Sequence, residues 1–380
     1  MFLRGKYGGI CKICGIESKI VSSVIGVCVD CLRNNWSEAK KIILNVHGKS
    51  RARYGLPQFP PKSIGGLRCG ICDLDCILSV GDKGFCGLVE NVNGKLVRHA
   101  GTPMAGLVEW YYDPIPTNCV GAWFCPASTG LGYPKYALTM NGEHGYYNLA
   151  VFYGGCNSDC LFCQNWQHKQ LVVKGKPLMS AEDLASKVNF RTTCICFFGG
   201  DPSPHVVHAL AVSEYALKKA SSEGRILRIC WETNGHFSEA FMNRIVDVSL
   251  KSGGIIKFDL KAWSPEVYYT LTGIDIGRVY ENVKLILKHW NERPEVPLFM
   301  ASTLLVPGYV DVYEVEGISR FLASFDRNIP YSLLAFHPDY LLIDLPPTSK
   351  SHAKIALETA RNAGLRNVNL GNIFLLGNYY

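Results

Sequence analysis

Three cysteines, Cys156, Cys160 and Cys163, stand within one short stretch, Asn148–Gln167, that reads NLAVFYGGCNSDCLFCQNWQ. Leu149–Tyr153 is apolar and short enough for a single buried strand, and Gly154-Gly155 break it. The spacing C-x3-C-x2-C then sets three thiols on one tight loop. Cysteine thiolates are the usual ligands of iron–sulfur clusters, which normally take four. Three local ligands would leave one iron of a cubane open, and an open position separates a catalytic metal site from a closed structural one. A zinc site or a structural cysteine loop is the competing reading. Zinc would need a fourth ligand, for which His168 is the candidate close in sequence.

Two further groups of cysteines precede this loop. Cys11-x2-Cys14 and Cys28-x2-Cys31 pair two knuckles, with Gly15 after the first. Four thiolates in this pattern suit a closed tetrahedral zinc, as in a zinc ribbon. An electron-transfer iron site and a contact surface for RNA or protein are the alternatives. Cys69-x2-Cys72-x3-Cys76-x9-Cys86 is denser, with Gly81, Gly84 and Gly87 suited to tight turns. It reads as a metal module holding zinc or an auxiliary iron–sulfur cluster, or as a segment that only packs.

The elements that must position these groups follow from pattern. The chain has 380 residues, 48% hydrophobic, with a net charge of +7. That allows two or three domains and a substantial core, and a mildly basic surface rather than a dedicated nucleic-acid binder. No apolar run reaches 18 residues and the start lacks a signal-peptide core, so no membrane span and a cytoplasmic location are expected. Sixteen cysteines in a large chain of this kind suggest metal sites kept reduced, rather than disulfides. Residues 1–60 read as a zinc-ribbon-like module, a short helix Trp36–Val46, a solvated basic cluster Lys49–Arg53 and a proline-rich linker. Residues 61–145 read as the cysteine-rich leader and a covering segment. Within it Trp110–Gly145, rich in glycine, proline and aromatics and carrying Cys119 and Cys125, is expected to close over a substrate entrance.

From residue 146 to 380 short apolar runs alternate with helical stretches. Strands are expected at Leu149–Tyr153, Cys194–Phe198, Leu227–Glu232, Ile255–Leu260, Leu298–Leu305 and Tyr331–Phe336. Helices are expected at Ala181–Val188, His205–Ala220, Phe237–Ser252, Val279–Trp290, Val312–Ser324 and Lys350–Ala363. Such alternation argues for parallel strands in an α/β fold. Polar residues and glycines gather at the strand ends, where barrel chemistry collects: Gly199-Gly200-Asp201-Pro202, Glu232-Thr233-Asn234-Gly235, Asp259-Leu260-Lys261 and Phe336-His337-Pro338-Asp339-Tyr340. Each taken singly is an ordinary polar cap. Asp259 and Lys261 alternate onto one side of an extended segment and so can share a pocket. Cys194, Cys196 and Cys230 fall inside strands and read as core residues.

The loop C-x3-C-x-aromatic-C after a strand, with Phe162 before the last cysteine, resembles the radical S-adenosylmethionine (SAM) superfamily. The resemblance implies a partial (β/α)6 TIM-like barrel preceded by small cysteine-rich metal-binding modules. It implies a 4Fe–4S cluster on Cys156, Cys160 and Cys163 that cleaves SAM reductively to methionine and a 5′-deoxyadenosyl radical. SAM contacts are implied at Phe162, Gly199, Gly200, Asp201, Pro202, Asn234, Asp259, Lys261 and His337. The leader, with Gly84-Phe85-Cys86-Gly87, resembles that of pyruvate formate-lyase activases and AmmeMemoRadiSam-type proteins, although Asp73 and Leu88 stand where those usually have Pro and Arg. The run FHPDY…PPT resembles the latter group. By resemblance to glycyl-radical activases, a flavodoxin or ferredoxin would supply electrons and a protein glycine would be the target. RNA or a small molecule is the alternative substrate. A non-catalytic metal-binding adaptor is the third reading, against which the intact Cys156, Cys160 and Cys163 argue.

Overall fold

The computed structural model describes residues 7–117 and 119–380. Its centre is a nine-stranded sheet: β1 (Gly106–Pro114), β2 (Tyr147–Tyr153), β3 (Leu178–Met179), β4 (Thr192–Gly199), β5 (Arg228–Thr233), β6 (Ile256–Asp259), β7 (Phe299–Leu305), β8 (Tyr331–Ala335) and β9 (Val368–Gly371). Across the sheet they run β9-β8-β7-β6-β5-β4-β2-β1-β3. Every pairing from β2 to β9 is parallel, and β1 pairs antiparallel with both β2 and β3. The end strands β9 and β3 do not pair with each other, so the sheet curls without closing.

Helices Val206–Ser222, Glu239–Ser252, Val279–Leu287, Val312–Ala323 and Lys350–Asn362 make the crossovers that parallel neighbours require. The six expected strands are all present, because Val, Ile, Leu and Phe runs buried on both faces have little choice of structure. A seventh parallel strand, β9, and the antiparallel β1 extend the expected six. Pro265–Thr272 is a further helix, outside the expected set. Its proline sits in the first turn, where the missing N–H costs nothing. No helix among the described residues is long and apolar enough to cross a membrane.

Two expectations about the amino-terminal third change. The helix from Trp36 runs to Ala52, past the expected end at Val46, and the basic cluster divides: Lys49 and Arg53 are exposed, whereas Ser50 and Arg51 are each 1% exposed. The Arg51 guanidinium lies 3.4 Å from the centre of the Phe85 ring and donates to the carbonyls of Pro57 and Phe85. The first cysteine module is also stitched to the barrel. Ser22 and Ser23 donate to Asp344, the Tyr309 hydroxyl donates to the Val27 carbonyl, and Arg33 forks onto Asp311 and Glu314.

The covering segment lies at the opposite end of the barrel from the one expected. Trp110–Pro114 belongs to β1, and the chain that follows enters the barrel where the strands begin. Trp123 donates to Ser332, the second residue of β8, Tyr136 packs against Gly253 before β6, and buried Glu143 pairs with buried Arg228 at the start of β5. Arg228 Nη1 donates to Glu143 at 2.8 Å and to the Tyr136 carbonyl at 2.6 Å. A barrel left open by two unpaired edges needs its interior filled. This segment fills it from below and leaves the carboxyl ends of the strands uncovered.

Candidate active site

The loop after β2 is held by its own backbone hydrogen bonds. Gly155 takes φ +88°, and its N–H donates to the His168 carbonyl at 3.1 Å. The Asp159 and Leu161 amides donate to Thr272 and Leu271 at the end of the helix Pro265–Thr272. Beneath the loop Asp159 is fully buried. It accepts from Ser50 at 3.1 Å, shares a hydrogen bond of 2.9 Å with His47 Nδ1, and pairs with buried Lys169. Burial would raise the Asp159 carboxyl, but His47 and Lys169 outweigh it and hold it well below the usual carboxylate range. Lys169 also donates to the Tyr340 hydroxyl at 3.2 Å, so the aspartate inside the C-x3-C spacing ties the loop to two distant parts of the chain.

Above this base Cys156, Cys160 and Cys163 line one cavity of about 230 Å³ at the carboxyl ends of the strands. Burial pushes all three thiols up, Cys160 to about 12, so metal binding there releases protons. The Ser158 amide donates to Cys156 Sγ at 3.3 Å, and Asn234 Nδ2 lies 3.7 Å from the same sulfur. Phe162, Gly199, Gly200, Asp201, Asn234, Asp259 and Lys261 line the same cavity. Pro202 and His337 do not. His337 is 40% exposed at its side chain and bonds Asp339 at 2.9 Å, outside the cavity.

The expected residues divide by how they are used. Asp201 is 3% exposed, and its carboxylate accepts from the Ser203 amide and hydroxyl, the Thr233 hydroxyl and the Asn234 amide at 2.6–3.0 Å. That carboxylate ties the end of β4 to the end of β5 and has little left for a ligand. Burial still pushes its carboxyl above the usual range. Gly200 is required by packing, since a Cβ there would stand 2.1 Å from the Gly155 carbonyl oxygen. Asp259 is different: one oxygen pairs with Lys261, and the other is buried with no partner. His168 Nδ1 is likewise buried and unpartnered at the cavity wall. Burial, then neighbouring Lys169, lower that ring to about 3, so it is neutral. Soft thiols on one side and unsatisfied polar atoms on the other fit an iron–sulfur cluster carrying a polar ligand.

Sequence reading singled out Glu232 at a strand end but missed its neighbours on the floor. Lys257 and Ser302 join Glu232 in lining the cavity from below, beside Val120 of the filling segment. Lys257 Nζ is 3.1 Å from Cys119 Sγ, 3.3 Å from Cys196 Sγ and 3.4 Å from Glu232. Burial works against its charge, but Cys119, Cys196 and Glu232 outweigh it. The signal available was a lysine and a glutamate at inward positions of strands otherwise apolar.

Of the cysteine modules, the first is drawn together for an ion. The thiols of Cys11, Cys14, Cys28 and Cys31 all lie within 4.8 Å of one another, with Cys14 and Cys28 sulfurs 3.7 Å apart. A tetrahedral zinc with sulfur at 2.3 Å sets its ligands ~3.8 Å apart. Cys69, Cys72, Cys76 and Cys86 surround a separate small cavity.

Residues 150–322 match the family model of the Radical SAM superfamily. An uncharacterised protein of Methanocaldococcus jannaschii is 26% identical over 81% of this chain and 81% of its own length. A second protein of that archaeon, provisionally named a glycyl-radical enzyme activating enzyme, is 27% identical over 48% of this chain and 64% of its own length. Isethionate sulfite-lyase activating enzyme of Desulfovibrio desulfuricans is 30% identical over 22% of this chain and 25% of its own length. Among solved structures, a domain of pyruvate-formate lyase-activating enzyme from Bacteroides vulgatus is 17% identical, covering 47% of this chain and 98% of that domain, with a TM-score of 0.37.

Proposed function

We propose that this protein is a radical SAM enzyme whose Cys156, Cys160 and Cys163 hold a 4Fe–4S cluster, and that its target is a backbone glycine of a partner protein. The observation that carries the first part is the single cavity that joins these thiols to Asn234, Asp259 and Lys261 at the strand ends. A cluster held by Cys156, Cys160 and Cys163 would supply the electron that cleaves SAM to methionine and a 5′-deoxyadenosyl radical. The chain's own residues bind and aim. The unpartnered oxygen of Asp259 would accept from the ligand's ammonium, and Lys261, on the same cavity wall, would meet its carboxylate. Asp201 holds the Gly199–Gly200 turn so that its backbone borders the ligand. Segment 115–145 excludes water from below, which a carbon radical requires. Phe162 lies under the Lys261 ammonium, 5.4 Å from its ring centre, and keeps that charge over the cluster loop. The glycine target is supported by the activating enzymes among the relatives; electrons would come from a flavodoxin or ferredoxin.

The test is anaerobic reconstitution followed by dithionite and SAM, with 5′-deoxyadenosine measured. Cys156→Ala, Cys160→Ala and Cys163→Ala should each reduce it to background, because a three-ligand site has no reserve. Undiminished production in these variants would sink the assignment.

A further inference from the structure

We infer that Cys11, Cys14, Cys28 and Cys31 hold one zinc ion, and that through Arg33 this ion positions the Asp259–Lys261 segment of the active-site cavity. The four sulfurs lie within 4.8 Å of one another, a spacing for one ion. The loops are shaped for it. Gly15 takes φ +76°, and its amide donates to the Cys11 carbonyl at 2.9 Å, which closes the first knuckle. The Lys12 amide donates to the Gly26 carbonyl at 2.9 Å and joins the two knuckles, and the Cys28 amide donates to Cys11 Sγ at 3.4 Å. Four protein sulfurs close the coordination shell, and none of the four cysteines lines the active-site cavity. A closed, redox-silent ion suits such a place, and zinc is that ion. The regular structure around it is slight: strands Gly9–Ile10 and Glu17–Ser18 and the helix Val29–Asn34. So small a unit takes its order from the metal.

The link to the active site starts on that helix. It carries the ligand Cys31 and, two residues on, Arg33. Arg33 Nη1 and Nη2 each donate to Asp311 at 2.8 Å, and Nη2 also donates to Glu314. Glu314 is fully buried. Its second oxygen accepts from the Trp263 and Ser264 amides at 2.6 and 2.8 Å, and its first also accepts from the Ser264 hydroxyl. These residues follow directly on Asp259 and Lys261, which line the cavity. On the other side the Leu260 amide donates to the Ser302 carbonyl at 2.8 Å, and the Thr303 hydroxyl donates to the Leu260 carbonyl at 2.8 Å. The strap 259–264 is thus pinned at one end by β7 and at the other by one carboxylate. A buried carboxylate that loses its cation is strongly destabilised where it stands, so Glu314 keeps its hold on the strap only while Arg33 stays in place. Arg33 is a positioning residue, and the zinc fixes the helix that presents it. The ion and the pinned strap stand on their own contacts; that the strap serves SAM rests on the function proposed above.

X-ray absorption at the zinc edge of the full-length chain tests the metal. The spectrum should read four sulfurs at about 2.3 Å. Cys14→His, at the exposed ligand, should exchange one sulfur for a nitrogen. Loss of zinc in that variant would place the ion at the same residues. Iron in the site, or a zinc spectrum and content that Cys14→His leaves unchanged, overturns the metal. Hydrogen exchange at the Trp263 and Ser264 amides tests the positioning. Withdrawal of zinc by a chelator, and Arg33→Met with zinc retained, should each speed exchange there by roughly tenfold or more. The Ile195 and Phe197 amides at the centre of the sheet should stay slow. Unchanged exchange at 263–264, or faster exchange throughout the sheet, overturns the positioning. Calorimetric SAM binding should weaken severalfold in Arg33→Met, and that loss should vanish in an Asp259→Ala background. A loss of equal size in both backgrounds would show that Arg33 does not act through the strap. If the unaltered chain takes up no SAM, the proposed function fails, while the zinc spectrum and the exchange rates still decide this inference.

Discussion

Asp201 and Asp259 end neighbouring parts of one sheet, and their surroundings use them in opposite ways. Asp201 has four protein donors on its carboxylate; Asp259 has one paired and one unpartnered oxygen. Asp201→Ala should therefore act on stability, by about 3 kcal/mol, since several buried donors lose a charged acceptor. Asp259→Ala should leave the denaturation midpoint nearly in place and weaken SAM binding by roughly tenfold, the worth of one charge-assisted hydrogen bond. Urea titration and calorimetric SAM binding separate the two, and the reverse pattern would show the roles to be exchanged. The histidines behind β2 make a second test. His205 stacks on Tyr153 at 4.5 Å and bonds the Gly154 carbonyl at 2.8 Å; His208 bonds the Tyr153 hydroxyl at 2.8 Å. Burial lowers His205 to about 3 and His208 to about 4. Both folded values lie below the unfolded one, so the unfolded chain takes up more protons in acid. The stability these rings contribute is complete above the unfolded value, near pH 6.5, and falls as pH drops from there toward 4, by about 2 kcal/mol per ring at pH 5. His205→Gln should flatten the slope of stability against pH between 7.5 and 5 relative to the unaltered chain. An identical slope would mean that His205 titrates normally.

The helix Trp36–Ala52 carries the base of the catalytic loop. His47 and Ser50, three residues apart, share one face of it and meet Asp159; Arg51 continues to the carbonyl of Phe85 between the second module's cysteines. His47→Ala removes a partner from a buried charged group and should cost about 1–3 kcal/mol, with a matching loss in iron retained after reconstitution. A chain beginning at Leu67 lacks this helix altogether. It should fail to hold the catalytic cluster, and 5′-deoxyadenosine formation by such a chain at the full rate would show that the brace is dispensable. This outcome differs from what the cysteine spacing alone suggests, a detachable zinc module that only recognises a partner. The difference shows what a sequence carries. Cys11–Cys31 and Cys156–Cys163 are legible because covalent spacing fixes them, and β2 and β4 to β8 because apolar runs of strand length alternate with helical periods. Asp159–His47 and Glu143–Arg228 are pairs 112 and 85 residues apart, and no local pattern announces them. The place of segment 115–145 depends on the second of these pairs. Its composition suggests a cover over the substrate entrance at the strand ends, and the buried pair instead holds it where the strands begin. Gly199-Gly200 was visible as a motif, but its packing reason, the Gly155 carbonyl, appears only once β2 and β4 lie side by side.

Over the whole molecule, the filling of the barrel from the strand-start end decides where a substrate can come from. Below the cavity lie Val120, Lys257 and Glu232, with Cys119 and Trp123 behind them. Access is thus confined to the carboxyl ends of the strands, where the chain after β9 contributes Asn372 to the cavity wall. The next two residues, Ile373 and Phe374, are 64% and 83% exposed. Two large apolar side chains in water beside an active-site mouth fit a surface that a protein partner covers better than one a small metabolite passes. A glycine in a folded partner must reach the cavity on an extended loop, and the partner's body must then rest on this rim. Ile373→Ser with Phe374→Ser should leave uncoupled SAM cleavage unchanged, since neither side chain lines the cavity. With a partner deuterated at its glycine Cα, the pair of changes should lower both deuterium in 5′-deoxyadenosine and the glycyl-radical signal, and raising the partner concentration should restore them. Transfer at the unaltered level would place the partner elsewhere. Deuterium that arrives from a labelled nucleic acid or metabolite and never from protein glycine would reject the activase reading and leave the radical SAM domain in place, because the cluster loop and its strand-end residues make no reference to what lies beyond the rim.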